Sequence, residues 1–151
     1  MLRPRTAIYA AVLVLVGSAM IVALVLRPRQ ELFVQHDRAP VFVVEGNGAL
    51  RNAYTVAISN KTLEVADFVL HVDGVPDATI RLPEGGGAQA AQLPLKVAAD
   101  SVGTFRVLVY GHPAQAATDS EALDFVATNL RTDARSVYRS VFIGPDKVPG
   151  Q

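Results

Sequence analysis

The chain has 151 residues, with 14 basic and 14 acidic side chains and no cysteine. Without cysteine, this chain cannot form disulfides, thiolate metal sites, iron–sulfur ligation or a cysteine nucleophile. Four of the basic residues flank one apolar segment, so the rest carries ten basic and fourteen acidic residues, a net charge of −4. A mildly acidic domain without a basic patch argues against nucleic-acid binding.

An unbroken apolar run, Ala7 to Leu26, lies between two Arg-Pro-Arg triplets. Twenty helical residues span about 30 Å, the thickness of the hydrocarbon core of a bilayer. Because a backbone in lipid must satisfy its own hydrogen bonds, the run predicts one transmembrane helix within an anchoring segment, residues 1–29. A signal peptide is the alternative, but its apolar core is usually about 7 to 15 residues. The flanking arginines are nearly balanced and do not orient the helix.

Beyond residue 30 the pattern changes to short runs in which apolar residues alternate with polar or small ones, which is typical of strands. Gly46-Asn47-Gly48 supplies the positive φ angles of a tight hairpin turn. Asn60-Lys61-Thr62 matches the glycosylation sequon, but a turn is its favoured role. The predicted strands in this half are Leu32 to Val34, Val41 to Val44, Tyr54 to Ile58 and Phe68 to Val72.

The second half repeats this rhythm. Pro94 favours an edge strand or a bulge, and the segment 119–135 is ambiguous enough to hold a helical turn. The predicted strands here are Thr79 to Leu82, Leu93 to Val97, Phe105 to Val109, Leu123 to Val126 and Val137 to Ile143. Seven or more strands at intervals of about ten residues predict an all-β, immunoglobulin-like antiparallel β-sandwich at 30–146, with a flexible tail at 147–151.

Candidate chemistry is sparse. His36, His71 and His112 are the only good neutral metal ligands, and no two are spaced to place two imidazoles around one ion. No serine lies in a Gly-x-Ser-x-Gly elbow. The triple glycine at Gly85–Gly87 lacks the Lys-Ser/Thr pair of a phosphate-binding loop. We therefore expect no catalytic residue, cofactor site or metal site, and no enzyme activity from this chain alone.

Four short motifs follow the hydrophobic helix in a distinctive order: Asp37-Arg38, Arg51-Asn52-x-Tyr54, Asn60-Lys61-Thr62 and Phe142-Ile143-Gly144-Pro145. Together they resemble the C-terminal part of the FixG/CcoG (RdxA) family, accessory proteins of cbb3-type cytochrome c oxidase. The resemblance implies the last transmembrane helix plus a periplasmic immunoglobulin-like domain, in the bacterial inner membrane with a cytoplasmic N terminus. Family members also carry ferredoxin-type cysteine motifs, which this cysteine-free chain cannot match, so the resemblance does not transfer the redox function.

The leading hypothesis is a non-catalytic module, anchored in the lipid bilayer, that helps to assemble a respiratory oxidase. It would dock laterally on an oxidase subunit or assembly factor through strand edges or loops. Arg51-Asn52 and the loop Gln35 to Arg38 are the candidate family-specific elements. For Asp37 and Arg38, a local salt bridge or turn network at the membrane-proximal end of the domain is favoured over partner contact. The alternatives are a periplasmic copper-handling protein that uses the histidines, or a fragment of a larger iron–sulfur accessory protein.

Overall fold

The computed structural model describes residues 4–27, 30–38, 40, 42–84, 87–111 and 120–144. Within these residues, one helix precedes nine strands, and all strand pairs are antiparallel. The elements are α1 (Pro4–Val25), β1 (Gln30–His36), β2 (Val43–Val44), β3 (Leu50–Asn60), β4 (Ala66–Asp73), β5 (Thr79–Arg81), β6 (Gln92–Val97), β7 (Ser101–Gly111), β8 (Ser120–Asn129) and β9 (Arg135–Ile143). The predicted all-β sandwich behind one apolar helix is confirmed.

The strands form two sheets that face each other. The first sheet has the order β1-β3-β7-β5, and β2 also pairs with β3. The second sheet has the order β6-β4-β8-β9. Strands β1 and β9 contact each other across the sheets and close one side of the sandwich. Pro94 lies in β6, which is an edge strand. Proline has no N–H to donate, and at an edge its nitrogen can face the side without a neighbouring strand, as predicted.

The core follows from the period of two along each strand. In β3 every even-numbered residue is buried and every odd-numbered residue is partly exposed. Phe68 and Leu70 on β4 and Phe125 on β8 face β3 from the second sheet and are fully buried. Removing these side chains from water is the main favourable term in bringing the two sheets together.

Two turns depend on glycine. Gly48 has a φ of 81° in the hairpin between β2 and β3, where Glu45 N–H donates to Ala49 O at 2.8 Å. Gly74 has a φ of 105°, and a Cβ atom at this position would collide with the carbonyl oxygen of Ala122. The predicted Gly46-Asn47-Gly48 hairpin turn is therefore confirmed, and Gly74 also allows close approach to β8.

In its described part, the segment 119–135 contains no helix, but a single turn with the i→i+4 bond of a helix, Asp133 N–H to Asn129 O at 2.9 Å, follows strand β8. Strand β8 runs through Ser120–Asn129 and pairs with β4 on one side and β9 on the other. Leu123 and Phe125 point into the core, but Val126, on the outer face, is also only 4% exposed. Burial on both faces hides the period of two in the sequence, which explains the ambiguous prediction.

Helix α1 begins at Pro4 and ends at Val25, so it starts three residues before the predicted run and ends one residue earlier. Proline fits the first helical turn because its missing N–H would have no partner there. No residue of α1 is buried. The Ser18 hydroxyl donates to Val14 O at 2.8 Å, so this polar group is satisfied within the helix. The helix is long and apolar enough to cross a membrane and is compatible with a membrane anchor.

Candidate functional site

A buried polar cluster joins the two sheets where β3 faces the end of β9. We call His36, Asn52, Tyr54 and the backbone of Val141–Ile143 the inter-sheet cluster. The Asn52 side chain is fully buried. Its Nδ2 donates to Ile143 O at 2.9 Å, and its Oδ1 accepts from Ile143 N at 3.4 Å. One side chain of the first sheet thus satisfies two backbone groups of an edge strand in the second.

His36 belongs to the same cluster. Its Nε2 lies 3.0 Å from Asn52 Oδ1. Because Oδ1 can only accept, His36 Nε2 must carry the proton and donate in this arrangement. The imidazole ring also meets the Tyr54 ring edge-on, with centroids 4.8 Å apart. His36 is therefore committed to contacts inside the sandwich.

Tyr54 provides the second link between the sheets. Its hydroxyl donates to Val141 O at 2.7 Å, and its ring packs against Phe125 with centroids 4.9 Å apart. Burial raises the pKa of the Tyr54 hydroxyl above its usual value, because a phenolate here would lose its hydration. The neutral hydroxyl is a stable donor to the β9 backbone, and it is not poised to act as an acid or a base near pH 7.

These contacts explain two of the sequence motifs. Asn52 and Tyr54 come from the Arg-Asn-x-Tyr motif, and Ile143 comes from the Phe-Ile-Gly-Pro motif. The two motifs meet although 91 residues separate Asn52 from Ile143. The arrangement can tie sheets together and cap an edge strand, which is a structural task. The sequence singles out Arg51-Asn52 but does not identify the partner of Asn52, because no local sequence pattern encodes a contact between residues so far apart.

Asp37 forms the predicted salt bridge, but its partner is distant in sequence. Its Oδ2 lies 3.0 Å from Arg106 Nη2 on β7, and its Oδ1 accepts from Thr55 Oγ1 at 3.2 Å. Arg38 is exposed beside it. The loop Gln35 to Arg38 was expected at the membrane-proximal end of the domain, but it lies at the end of the sandwich remote from α1. Strand β1 leads away from α1, so Asp37 lies about 23 Å beyond Gln30.

A polar cleft of about 480 Å³ opens on the outer face of the first sheet. Arg51 Nη1 lies 3.3 Å from Glu45 Oε1 at its rim, which ties β3 to the preceding hairpin. Arg81 Nε is buried in this region and has no hydrogen-bond partner among the described residues. Thr79, Gln89 and the other lining side chains offer both donors and acceptors. Such a lining suits a polar ligand better than an apolar one.

The two described histidines do not converge. His36 points between the sheets, whereas His71 lies on the outer face of the second sheet, with Nε2 3.5 Å from Asp73 Oδ2. His112 lies outside the described residues. Among the residues that the structure describes, no three His, Asp or Glu side chains lie close enough together to hold a metal ion. The copper hypothesis gains no support from this part of the chain.

Asn60 of the glycosylation sequon has a structural role in its turn. It is buried, its Nδ2 donates to Glu64 O at 2.8 Å and Ala98 O at 2.9 Å, and its Oδ1 accepts from Thr62 N at 3.1 Å. The predicted turn is confirmed, and the amide nitrogen that a glycan would need is already engaged.

This chain is similar in sequence to one family of known proteins. The family described as "IG-like fold at C-terminal of FixG, putative oxidoreductase" matches residues 20–145. Nitrogen fixation protein FixG of Rhizobium meliloti is 33% identical over 140 residues, which are 93% of this chain and 27% of that protein. Protein RdxA of Cereibacter sphaeroides is 39% identical over 105 residues, 70% of this chain and 21% of that protein. The chain thus spans about a quarter of the length of these curated relatives.

A solved structure shares the fold. The crystal structure of a FixG-related protein from Vibrio parahaemolyticus matches with a TM-score of 0.64 at 21% identity, covering 81% of this chain and 100% of that one. The resemblance inferred from the sequence motifs is therefore confirmed. The chain belongs to the family defined by the immunoglobulin-like C-terminal domain of FixG.

Proposed function

We propose that this chain is a non-catalytic, membrane-anchored periplasmic module that takes part in assembling a cbb3-type cytochrome c oxidase. The observation that carries the proposal is the direct succession of α1 and a FixG-type domain, with only four residues between Val25 and Gln30. A helix of 22 residues is about 33 Å long, enough to cross the hydrocarbon core. The domain would then be held close to the membrane surface.

Membership of the FixG family supports the orientation that the flanking arginines leave open. In this proposal α1 crosses the bacterial inner membrane with the N-terminal residues in the cytoplasm and the sandwich in the periplasm. The inter-sheet cluster supports the non-catalytic part, because its polar groups are used to hold the two sheets together. Its buried tyrosine stays neutral near pH 7.

A short tether favours lateral docking on a neighbouring membrane protein, an oxidase subunit or an assembly factor. Tyr54 and Asn52 already bind backbone groups of Val141 and Ile143, which limits the addition of a foreign strand at this end of β9. The outer face of β8 and β9 is an alternative docking surface for such a partner. Val137 is 60% exposed there, and the Arg139–Asp124 ion pair lies beside it. An apolar centre with a charged rim is typical of protein–protein interfaces.

Affinity purification from membranes after crosslinking tests this proposal. The wild-type chain should recover an oxidase subunit or assembly factor, and the double substitution Val137→Lys with Val141→Lys should lose it. Val44→Lys is the matched control, because Val44 is 59% exposed on the far side of the domain. Recovery of no oxidase subunit or assembly factor with the wild-type chain would contradict the proposed role.

A further inference from the structure

The end of the sandwich nearest α1 is built from two turns, Lys61–Val65 between β3 and β4 and Leu130–Ala134 between β8 and β9. We call it the helix-side end. Gln30, the first residue of β1, pairs with Asn60 immediately before the first turn. The Gln30 Nε2 also donates to Ala134 O at 2.8 Å in the second turn. Both turns therefore flank the point at which the chain enters the domain from α1.

Each turn presents a leucine to the outside. Leu63 is 90% exposed and Leu130 is 63% exposed, and Val65 is exposed beside them. A single exposed apolar side chain is ordinary on a protein surface. Turn tips usually carry polar residues. Large aliphatic residues at two adjoining tips are typical of a surface that contacts a membrane or another protein.

The turns are held in these shapes by buried asparagines, so the leucines are presented by fixed backbone. Asn60 closes the first turn through the bonds described above. Asn129 is buried, and its Oδ1 accepts from Arg131 N at 2.9 Å and Thr132 N at 3.3 Å. Arg131 then links the two turns, because its Nη2 donates to Val65 O at 2.7 Å. Leu63 and Leu130 thus belong to one continuous surface.

The length of the connection indicates what covers this surface. Four residues separate α1 from β1, and four extended residues reach at most about 14 Å. When α1 crosses a bilayer, the helix-side end must lie within that distance of the lipid headgroups. We propose that this end docks on the bilayer and inserts Leu63 and Leu130 at the lipid–water interface. The inference rests on the proposed anchoring by α1.

The cationic side chains of the two turns are already paired, so the docking should depend mainly on apolar contacts. Lys61 Nζ lies 2.6 Å from Glu31 Oε1, and Arg131 forms an ion pair with Glu64. Both cations of the turns therefore have acidic partners, so the turns add little attraction to anionic lipids beyond that of Arg27 and Arg29 in the connection from α1. Insertion should depend on the two leucines and not on lipid charge. Docked in this way, the domain would stand with its far end away from the membrane and its outer faces turned sideways toward neighbouring proteins.

Single-cysteine labelling of the full chain in phosphatidylcholine vesicles tests the proposal, and the chain has no native cysteine to interfere. The variants Leu63→Cys, Leu130→Cys, Val44→Cys and Val14→Cys would each carry a polarity-sensitive fluorophore. Labels at 63 and 130 should show blue-shifted emission and quenching by nitroxide-labelled lipids. The Val44 label should stay accessible to aqueous iodide. Adding anionic phosphatidylglycerol should not change these results.

The Val14 label, in the middle of α1, separates the two ways to fail. If lipid nitroxides quench it while the labels at 63 and 130 remain in water, docking is overturned and anchoring stands. If the Val14 label is also in water, the proposed anchor fails and docking fails with it. A blue shift at 63 and 130 that requires anionic lipid would overturn the apolar mechanism. Thermal melts of each variant would establish that the domain is folded, which is expected because the substituted side chains are exposed.

Discussion

Strand β3 carries two buried asparagines with contrasting roles. Asn52 bonds to a strand of the other sheet, 91 residues away, and to His36. Asn60, eight residues later on the same face, bonds to its own turn and to the adjoining Ala98. The first asparagine fixes how the sheets meet, and the second fixes the shape of one turn that presents Leu63. The same residue type in the same strand thus supports tertiary structure at one position and local structure at the other.

Among the substitutions that test this contrast, Asn52→Leu should lower the free energy of unfolding most. The replacement has a similar size but leaves the N–H and C=O of Ile143 and the His36 ring without a partner in a partly buried site. A loss of about 3 kcal/mol in the free energy of unfolding is expected. Denaturant unfolding of the chain in detergent would measure it. A loss below about 1 kcal/mol would show that the inter-sheet cluster is not the link proposed here.

Asn60→Ala should lower the free energy of unfolding by less, about 2 kcal/mol, because water can reach part of the freed turn. The effect should also remain local. Hydrogen exchange at the Thr62 amide, which donates to Asn60 Oδ1, should accelerate, whereas exchange at the Ile143 amide should not change. Faster exchange in both regions would mean that the two asparagines are coupled and that the comparison is wrong.

Tyr54→Phe should lower the free energy of unfolding by about 1 kcal/mol near neutral pH, because one hydrogen bond to Val141 is lost and the ring is retained. The pKa of Tyr54 is raised in the folded state, so its contribution is complete below the unfolded pKa of about 10. It is lost as the pH rises above that value, and the wild type should lose more stability there than Tyr54→Phe. Unfolding curves from pH 8 to 11 would compare them, with the half-buried Tyr138→Phe as the control.

Asp124→Asn should have the smallest effect, because this pair lies on the outer face of the second sheet. The Arg139 side chain donates to Asp124 and lowers the pKa of that carboxyl group. The contribution of the pair is therefore present above about pH 4 and fades as the pH falls through the folded pKa. Acid titration of unfolding should show a slight difference between wild type and variant, since solvent screens such exposed pairs. A large loss of stability at pH 7 would contradict the surface role.

Much of the fold was predictable because local patterns encode it. Alternation placed the strands, Gly46-Asn47-Gly48 marked the first hairpin, and Pro94 marked an edge strand. The segment 119–135 was less clear because burial of Val126 on the outer face interrupts the apolar–polar alternation of β8. Local patterns report which face of a strand is apolar, and they lose this power where both faces are covered.

The site was less predictable, since its partners are distant in sequence. Arg51-Asn52 was recognised as distinctive, but the contact of Asn52 with Ile143 depends on how the two sheets are placed. Asp37 was expected to pair locally, and it pairs with Arg106 on β7, 69 residues away. The loop that contains Asp37 was expected at the membrane-proximal end of the domain. The direction of β1 carries it to the other end.

The placement of the domain across the membrane is the central claim, and a single cysteine at position 44 tests it most directly. Cells expressing the Val44→Cys chain would be treated with a membrane-impermeant maleimide after the outer membrane alone is opened. We predict labelling of Val44→Cys while the inner membrane is intact, with no increase on full lysis. Labelling that appears only after the inner membrane is broken would place the sandwich in the cytoplasm and contradict the account.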